Sequence, residues 1–133
     1  MTRARELRFA FVFEDYDAAL HLFRDVFGLE TLLELDHEGG RGVILNVPSA
    51  TLEVFDTDQG DHVDDIEVGR RLGERVRIAI NIVAEAAADV EGAGASPVAD
   101  SVLTPWGDLN HRFVTSDGLQ LTLFQPLAPR AEP

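Results

Sequence analysis

Cysteine and lysine are both missing from this chain of 133 residues. Without cysteine, the chain can form no disulfide, no thiolate nucleophile and no cysteine-ligated metal centre. Without lysine, it can form no Schiff base with a carbonyl substrate and cannot supply the lysine of a phosphate-binding loop. These absences exclude several large classes of enzyme before any motif is considered.

Positive charge is also scarce, because 24 acidic residues face 11 basic ones and the net charge is -13. Such a field repels phosphate backbones and anionic lipid. No run approaches the roughly 20 apolar residues of a membrane span, and residues 1–8 lack the apolar stretch of a signal peptide. We therefore expect a cytoplasmic protein that has neither nucleic acid nor a membrane as its partner.

The chain does contain enough apolar residues, 45%, for a core, and it contains an internal repeat. Residues 8–13 (RFAFVF) recur 69 positions later as residues 77–82 (RIAINI), and residues 52–55 (LEVF) recur as residues 121–124 (LTLF). A chain of this length forms one domain. We expect a single domain, residues 1–133, made of two half-domains.

Each repeat has the pattern of a strand, a helix and three further strands. The first module, residues 7–55, has a predicted helix that is capped by Asp15 and ended by Gly28. The second module, residues 76–126, has a hairpin turn at Asp117-Gly118. The predicted strands cover residues 7–13, 31–36, 42–47, 50–55, 76–83, 101–104, 110–115 and 119–125, and the predicted helices cover residues 16–27 and 85–91. We expect residues 56–75 to form a polar linker, with a solvated acidic stretch at residues 56–67 and a short helix at residues 66–72.

The predicted fold class is α+β, with two βαβββ modules that form an eight-stranded curved mixed sheet around a cleft, and helices on its outer face. Successive side chains of a strand point to opposite faces, so one face of this sheet collects polar and aromatic groups. The predicted ligand-binding residues all lie on or near it: Arg8, Glu53, Phe55, Arg77, Asn81, Trp106, His111, Thr122 and Phe124.

This plan resembles the vicinal oxygen chelate superfamily, which includes glyoxalase I, extradiol dioxygenases and bleomycin resistance proteins. The resemblance covers roughly residues 7–126. It depends on the doubled plan, on the helix at residues 15–29 (DYDAALHLFRDVFGL), and on the Pro105-Trp106-Gly107 and Asp117-Gly118 signals. It implies a fold more than a reaction, because one scaffold serves many chemistries.

The resemblance also implies where a metal ion would bind. Metal-dependent members take their ligands from the inner faces of the first and last strands of each module, and those places match Arg8, Glu53, Arg77 and Thr122. Arginine has no lone pair to offer and stays protonated. We therefore expect no metal and no cofactor at this site.

The residues leave more than one function open. The leading hypothesis is a metal-free homodimer that binds or sequesters a small molecule, with Arg8 and Arg77 either clamping an anionic group or neutralised by Glu53. The alternative is a lyase, isomerase or dioxygenase of the same superfamily, metal-dependent or cofactor-free, with a relocated site and no identified catalytic residue. A third reading is a structural or regulatory module whose cleft is plugged by its own side chains.

Overall fold

The computed structural model describes residues 3, 5, 6, 8–51 and 53–127 of the chain, and within them it shows an α+β fold. The helical elements are α1 (Tyr16–Leu20), a π-helix (His21–Val26) that continues it, α2 (Thr57–Glu67), a 3-10 turn (Ala84–Ala86) and α3 (Ala87–Gly92). The strands are β1 (Thr31–His37), β2 (Gly40–Leu45), β3 (Arg77–Asn81), β4 (Ser96–Pro97), β5 (Val102–Leu103), β6 (Asp108–Val114) and β7 (Gln120–Pro126).

The strands form two sheets. In the larger one the order is β3-β7-β6-β4, with β5 also paired to β6. Strands β3 and β7 are parallel and the other pairs are antiparallel, so this sheet is mixed. Strands β1 and β2 form a separate antiparallel pair. The predicted α+β class is thus confirmed, whereas the eight-stranded curved sheet around a cleft is not, because the described residues form sheets of two and five strands.

The local signals at the helix and turn positions are also found in the structure. Asp15 caps α1, since its carboxylate accepts a hydrogen bond from the Ala18 N–H at 3.0 Å. The β6–β7 hairpin closes through the hydrogen bond from the Gly118 N–H to the Thr115 carbonyl at 2.9 Å, with Gly118 at φ 88°. A side chain rarely adopts that φ, which explains the glycine.

The predicted strands at residues 8–13 and 50–55 are not strands in the described part of the chain. Leu7 and Leu52, which belong to these two predictions, lie outside the described residues. A strand needs a partner for its backbone groups. The equivalent segments of the second module, β3 and β7, pair with each other in parallel, and that pairing has no counterpart here in the first.

The core lies on one face of the larger sheet. It contains Leu22 from the π-helix, Val90 from α3, Ala95, and the strand residues Phe113, Leu121 and Leu123. Both helical segments therefore cover the same sheet face, which we call the core face. Helix α2 contacts the opposite face, which we call the inner face. No helix of the described residues is long and apolar enough to cross a membrane.

Candidate functional site

The inner face carries a buried cluster of charged and polar side chains, which we call the ion network. Its members come from α2, β3, β6 and β7, and they are Asp64, Glu67, Arg77, Arg112, Gln120 and Thr122. Strand register explains the grouping, because Thr122 pairs with Arg112 and Gln120 pairs with Arg77. Paired residues on neighbouring strands project to the same face.

Arg112 is at the centre of the ion network, with 1% of its side chain exposed. Its Nη2 donates to Asp64 Oδ1 at 3.2 Å, and its Nη1 donates to Gln120 Oε1 at 3.0 Å. Its Nε lies 3.3 Å from Glu67 Oε1 and 3.1 Å from Thr122 Oγ1. The guanidinium is thus hydrogen-bonded along its whole edge, as a buried charge requires.

Arg77 extends the ion network toward the surface, with 17% of its side chain exposed. Its Nη2 donates to Asp64 Oδ2 at 3.1 Å, and its Nη1 donates to the Gly60 carbonyl at 3.1 Å. A Cβ at Gly60 would lie 3.3 Å from Arg77 Nη2, so the glycine allows this close approach of α2 to the arginine. Two carboxylates and two guanidiniums leave the ion network electrically neutral.

The network brings together two of the sequence-predicted site residues, Arg77 and Thr122, with groups that the sequence analysis had not selected. Arg8 takes no part in it, because its exposed side chain pairs with Glu6 at 2.6 Å. Glu53 is exposed as well. Arg77 therefore pairs with Asp64 of α2 instead of the predicted Glu53.

The linker was expected to be solvated, and the structure corrects this. Asp64 is fully buried and Glu67 is 6% exposed. The helix covers Thr57–Glu67 instead of residues 66–72, and Asp56 caps it by accepting a hydrogen bond from the Gln59 N–H at 2.8 Å. A helical spacing of four and three puts Gly60, Asp64 and Glu67 on one face. This spacing indicates the buried face of α2. It differs from the usual signal of a buried helix face, because the face carries acids instead of apolar residues.

Another row of the inner face carries two more predicted residues, Asn81 and Phe124, together with Asn110. In it, Asn81 of β3, Phe124 of β7 and Asn110 of β6 are successive register partners. Asn81 is exposed, Phe124 is half-buried and Asn110 is 5% exposed. Among the described residues, Asn110 Oδ1 is a buried side-chain oxygen that has no hydrogen-bond partner. We call this set the amide row.

The remaining predicted residues lie elsewhere. His111 projects to the core face, where its ring centroid lies 4.4 Å from that of Phe113. It lines an open pocket of about 70 Å³ together with Ile82, Ser101 and Leu109, a volume far below the roughly 300 to 1,000 Å³ of a pocket for a drug-sized ligand. Phe55 and Trp106 are 40% and 44% exposed.

The donor set at the positions matched to metal ligands does not fit a divalent ion. Arg8 and Arg77 offer no lone pair, and the Thr122 hydroxyl donates to Glu67 Oε1 at 2.7 Å. Within the described ranges, no group of three or more histidine, aspartate or glutamate side chains is arranged to hold a metal ion. No chemical step through a metal follows from these residues.

The fold and the inner face together define an α+β protein whose larger sheet carries an internal charge network. The chain is similar to a protein of unknown function from Agrobacterium tumefaciens strain C58, with 19% identity, 93% of this chain and 98% of that chain covered, and a TM-score of 0.52. No protein-family model matches the chain, and neither does any curated protein.

Other similar structures carry the superfamily's name. One is a member of the glyoxalase/bleomycin resistance protein/dioxygenase superfamily from Sphaerobacter thermophilus, with 20% identity, 86% and 90% of the two chains covered, and a TM-score of 0.47. Another is a lactoylglutathione lyase from Agrobacterium tumefaciens, with 23% identity, 84% and 86% covered, and a TM-score of 0.47. At identities of 20% and 23% these likenesses concern the fold alone.

Proposed function

We propose that this protein is a metal-free, cytoplasmic, small-molecule-binding homodimer built on the glyoxalase/bleomycin resistance fold, and that its ligand binds at the amide row. The observation that carries the proposal is the unpartnered, buried Oδ1 of Asn110. A buried acceptor without a donor costs about 1 to 3 kcal/mol, and native proteins rarely keep one without a reason. A ligand with an N–H or O–H group supplies the missing donor.

The neighbours of Asn110 suit such a ligand. Phe124 offers an apolar ring beside the amide, and Asn81 offers a second amide at the exposed end of the row. Small-molecule sites combine apolar walls with a few polar groups that fix orientation. The arginines of the ion network are already neutralised, so the ligand proposed for this row is uncharged.

The metal-free part of the proposal follows from the chemistry of Arg77 and Thr122. Arg77 donates to Asp64 and to the Gly60 and Glu74 carbonyls, and the Thr122 hydroxyl donates to Glu67. The competing hypothesis, an enzyme with a relocated metal, predicts stoichiometric metal in the purified protein and turnover that a chelator abolishes. Elemental analysis that finds such a metal contradicts the proposal.

The homodimer part rests on exposed apolar side chains of the first module, among them Phe9, Leu32 and Leu33 at 62%, 59% and 50% exposure. Large exposed apolar patches mark interaction surfaces. We propose that a second copy covers them, and that residues 8–13 and 50–55 complete the predicted curved sheet and cleft in the dimer.

The test compares thermal unfolding of the wild type and Asn110→Leu across a library of small aromatic amides, amines and phenols. We expect at least one compound to raise the melting temperature of the wild type by several degrees, since a ligand at 100 times its Kd adds about 2.7 kcal/mol. Asn110→Leu removes the unpaired oxygen, so we expect it to be at least as stable as the wild type but insensitive to that compound.

The matched control is Asn46→Leu, at an exposed asparagine outside the amide row, which should keep the response. A compound that stabilises Asn110→Leu as much as the wild type contradicts the assigned site.

A second candidate, a structural module plugged by its own side chains, is favoured by α2, whose acids occupy the inner face beside the amide row. It predicts no stabilising compound at all, so a single clear stabiliser eliminates it.

A further inference from the structure

The carboxylate of Asp64 is surrounded by hydrogen-bond donors from several elements, as a bound anionic ligand would be. Its Oδ2 accepts hydrogen bonds from Arg77 Nη2 and from the Leu72 N–H, both at 3.1 Å, and its Oδ1 accepts one from Arg112 Nη2 at 3.2 Å. These donors come from two strands and a loop, and the carboxylate is fully buried. Two arginines converging on one carboxylate form a strong anion-recognition geometry.

Glu67 fills an adjoining anion position. Its Oε1 accepts from the Thr122 hydroxyl at 2.7 Å and lies 3.3 Å from Arg112 Nε. If α2 were removed, the inner face would present two guanidiniums, a hydroxyl and the Gln120 amide on three adjacent strands. This is a site with two positive charges, in a chain whose net charge is -13.

The attachment of α2 to the sheet is of a kind that a soluble anion can replace. The fully buried residues of α2 are Gly60, Asp64 and Glu67, none of which has an apolar side chain, while its apolar residues Val63 and Ile66 are half-buried. Polar and ionic contacts can be exchanged one for one with those of a ligand, whereas an apolar contact would have to be lost to water. The segment after α2 turns at Gly69, which adopts φ 81°.

We propose that α2 acts as an internal ligand of an anion site formed by Arg77, Arg112 and Thr122, and that a small dicarboxylate binds this site by displacing the helix. The two carboxylates of Asp64 and Glu67 define the class of molecule, since the incoming ligand has to restore both negative charges. The inference goes beyond the proposed function, because it adds a second, anionic ligand at a different part of the inner face.

Calorimetric titration with succinate tests the inference. In the variant Asp64→Asn/Glu67→Gln, the internal anions are removed with little change in shape, and we expect succinate to bind at least tenfold more tightly than it binds to the wild type. Adding Arg112→Gln to that variant should abolish the gain. Inorganic phosphate, titrated in parallel, should bind more weakly than succinate, and tighter phosphate binding would contradict a dicarboxylate as the ligand.

The matched control is Asp58→Asn/Asp65→Asn, which also removes two negative charges, but from exposed positions of the same helix. It should keep the wild-type affinity for succinate. Equal gains in the two double variants would show a general charge effect and would overturn the site.

Hydrogen exchange of the wild type provides a second measurement that does not depend on the folding of any variant. We expect succinate, compared with sodium chloride at equal ionic strength, to accelerate amide exchange in α2 at least fivefold and to leave β6 and β7 unchanged. Unchanged exchange in α2 would overturn displacement. If succinate does not accelerate exchange in α2 but an uncharged compound still raises the melting temperature, this inference alone is rejected. If succinate accelerates exchange and no uncharged compound raises the melting temperature, the amide row alone is rejected.

Discussion

At the scale of single residues, the main feature is a buried arginine, Arg112, whose three guanidinium nitrogens each have a hydrogen-bond acceptor. The acceptors are two carboxylates, an amide oxygen and a hydroxyl oxygen. Burying a charge is tolerated when it is paired and hydrogen-bonded, and such a pair stabilises little more than apolar residues of the same shape. Removing one partner is a different matter, because the charge left behind stays buried and unpaired.

Arg112→Met tests this asymmetry. The substitution keeps much of the volume but leaves Asp64 and Glu67 with less positive charge near them, so we expect the free energy of unfolding to fall by about 3 to 5 kcal/mol. Urea unfolding followed by circular dichroism measures it. The control is Arg8→Met, at an exposed ion pair with Glu6, which should change stability little because exposed pairs contribute little. Similar losses in both variants would argue against the ion network as described.

A second residue-scale prediction concerns Asp25 in the π-helix. Its pKa is lowered from 3.8 to about 2, first by the hydrogen bond from Arg24 and then by the one with His21. A carboxyl whose pKa is lower in the folded state stabilises the fold above its ordinary pKa, and this contribution is lost as the pH falls from about 3.8 toward 2. Arg24→Gln should raise the pKa of Asp25 toward its ordinary value, as measured by NMR titration of the carboxyl carbon. His21→Gln should raise it less, and the reverse order would contradict the assignment of causes.

At the scale of elements, strand β6 places charged and apolar side chains on opposite faces of the sheet. Arg112 faces α2 and Phe113 faces the core, although the two residues are neighbours in sequence. The alternation of a strand produces this separation without any other device. It also means that a shift of one residue in register would bring the charge into the apolar core, so the pairing with β7 is strongly specified.

Phe113→Ala measures the core side of that strand. Phe113 has no exposed surface, and removal of a buried phenylalanine ring leaves a cavity, so we expect a loss of about 3 to 5 kcal/mol in the free energy of unfolding. Leu103→Ala is the control, because Leu103 is 61% exposed on the neighbouring strand β5. A loss at Leu103 that equals the loss at Phe113 would show that the core and surface faces have been assigned wrongly.

The elements that the sequence predicted correctly are those whose signals are local. Asp15 and Gly28 predict the ends of the first helix, and Asp117-Gly118 predicts the β6–β7 hairpin. Helix α2 was misplaced because its buried face carries Gly60, Asp64 and Glu67. No apolar periodicity exists there, and burial of its acids depends on arginines that are distant in sequence. Residues 8–13 fail for a related reason, since strand propensity alone supplies no pairing partner.

The candidate site was predictable only in part. Arg77 and Thr122, which the repeat singles out, lie on one face of the sheet because β3 and β7 pair in parallel register. Arg112 lies next to His111 in the predicted strand, and the histidine was preferred for its chemistry although it points to the other face. The packing of α2 on the sheet decides which acids neutralise Arg112. The periodicity of apolar residues in the sequence does not reveal that packing.

At the scale of the whole molecule, the apolar surface is distributed unevenly. Of the fourteen large apolar side chains that are exposed among the described residues, nine lie before residue 56, including Val12 at 97% exposure. Strand β1 is exposed along nearly its whole length. The second module, in contrast, has a helix-covered core face. An interface between two proteins buries about 800 Å² on each partner, with aliphatic and aromatic side chains at its centre. The first module is therefore the surface on which we expect a second copy to bind.

The dimer is tested by Leu33→Arg, which places a charge at a half-exposed position of β1. Light scattering after gel filtration should give twice the chain mass of 14.6 kDa for the wild type and the single chain mass for the variant. The reason is that a guanidinium desolvated without a partner makes association unfavourable. Leu103→Arg introduces the same charge on the second module, at a position that is 61% exposed, and it should remain dimeric. A wild type that stays monomeric at high micromolar concentration would contradict the dimer. If both arginine variants become monomeric, association involves the second module as well, and the first module alone cannot be the interface.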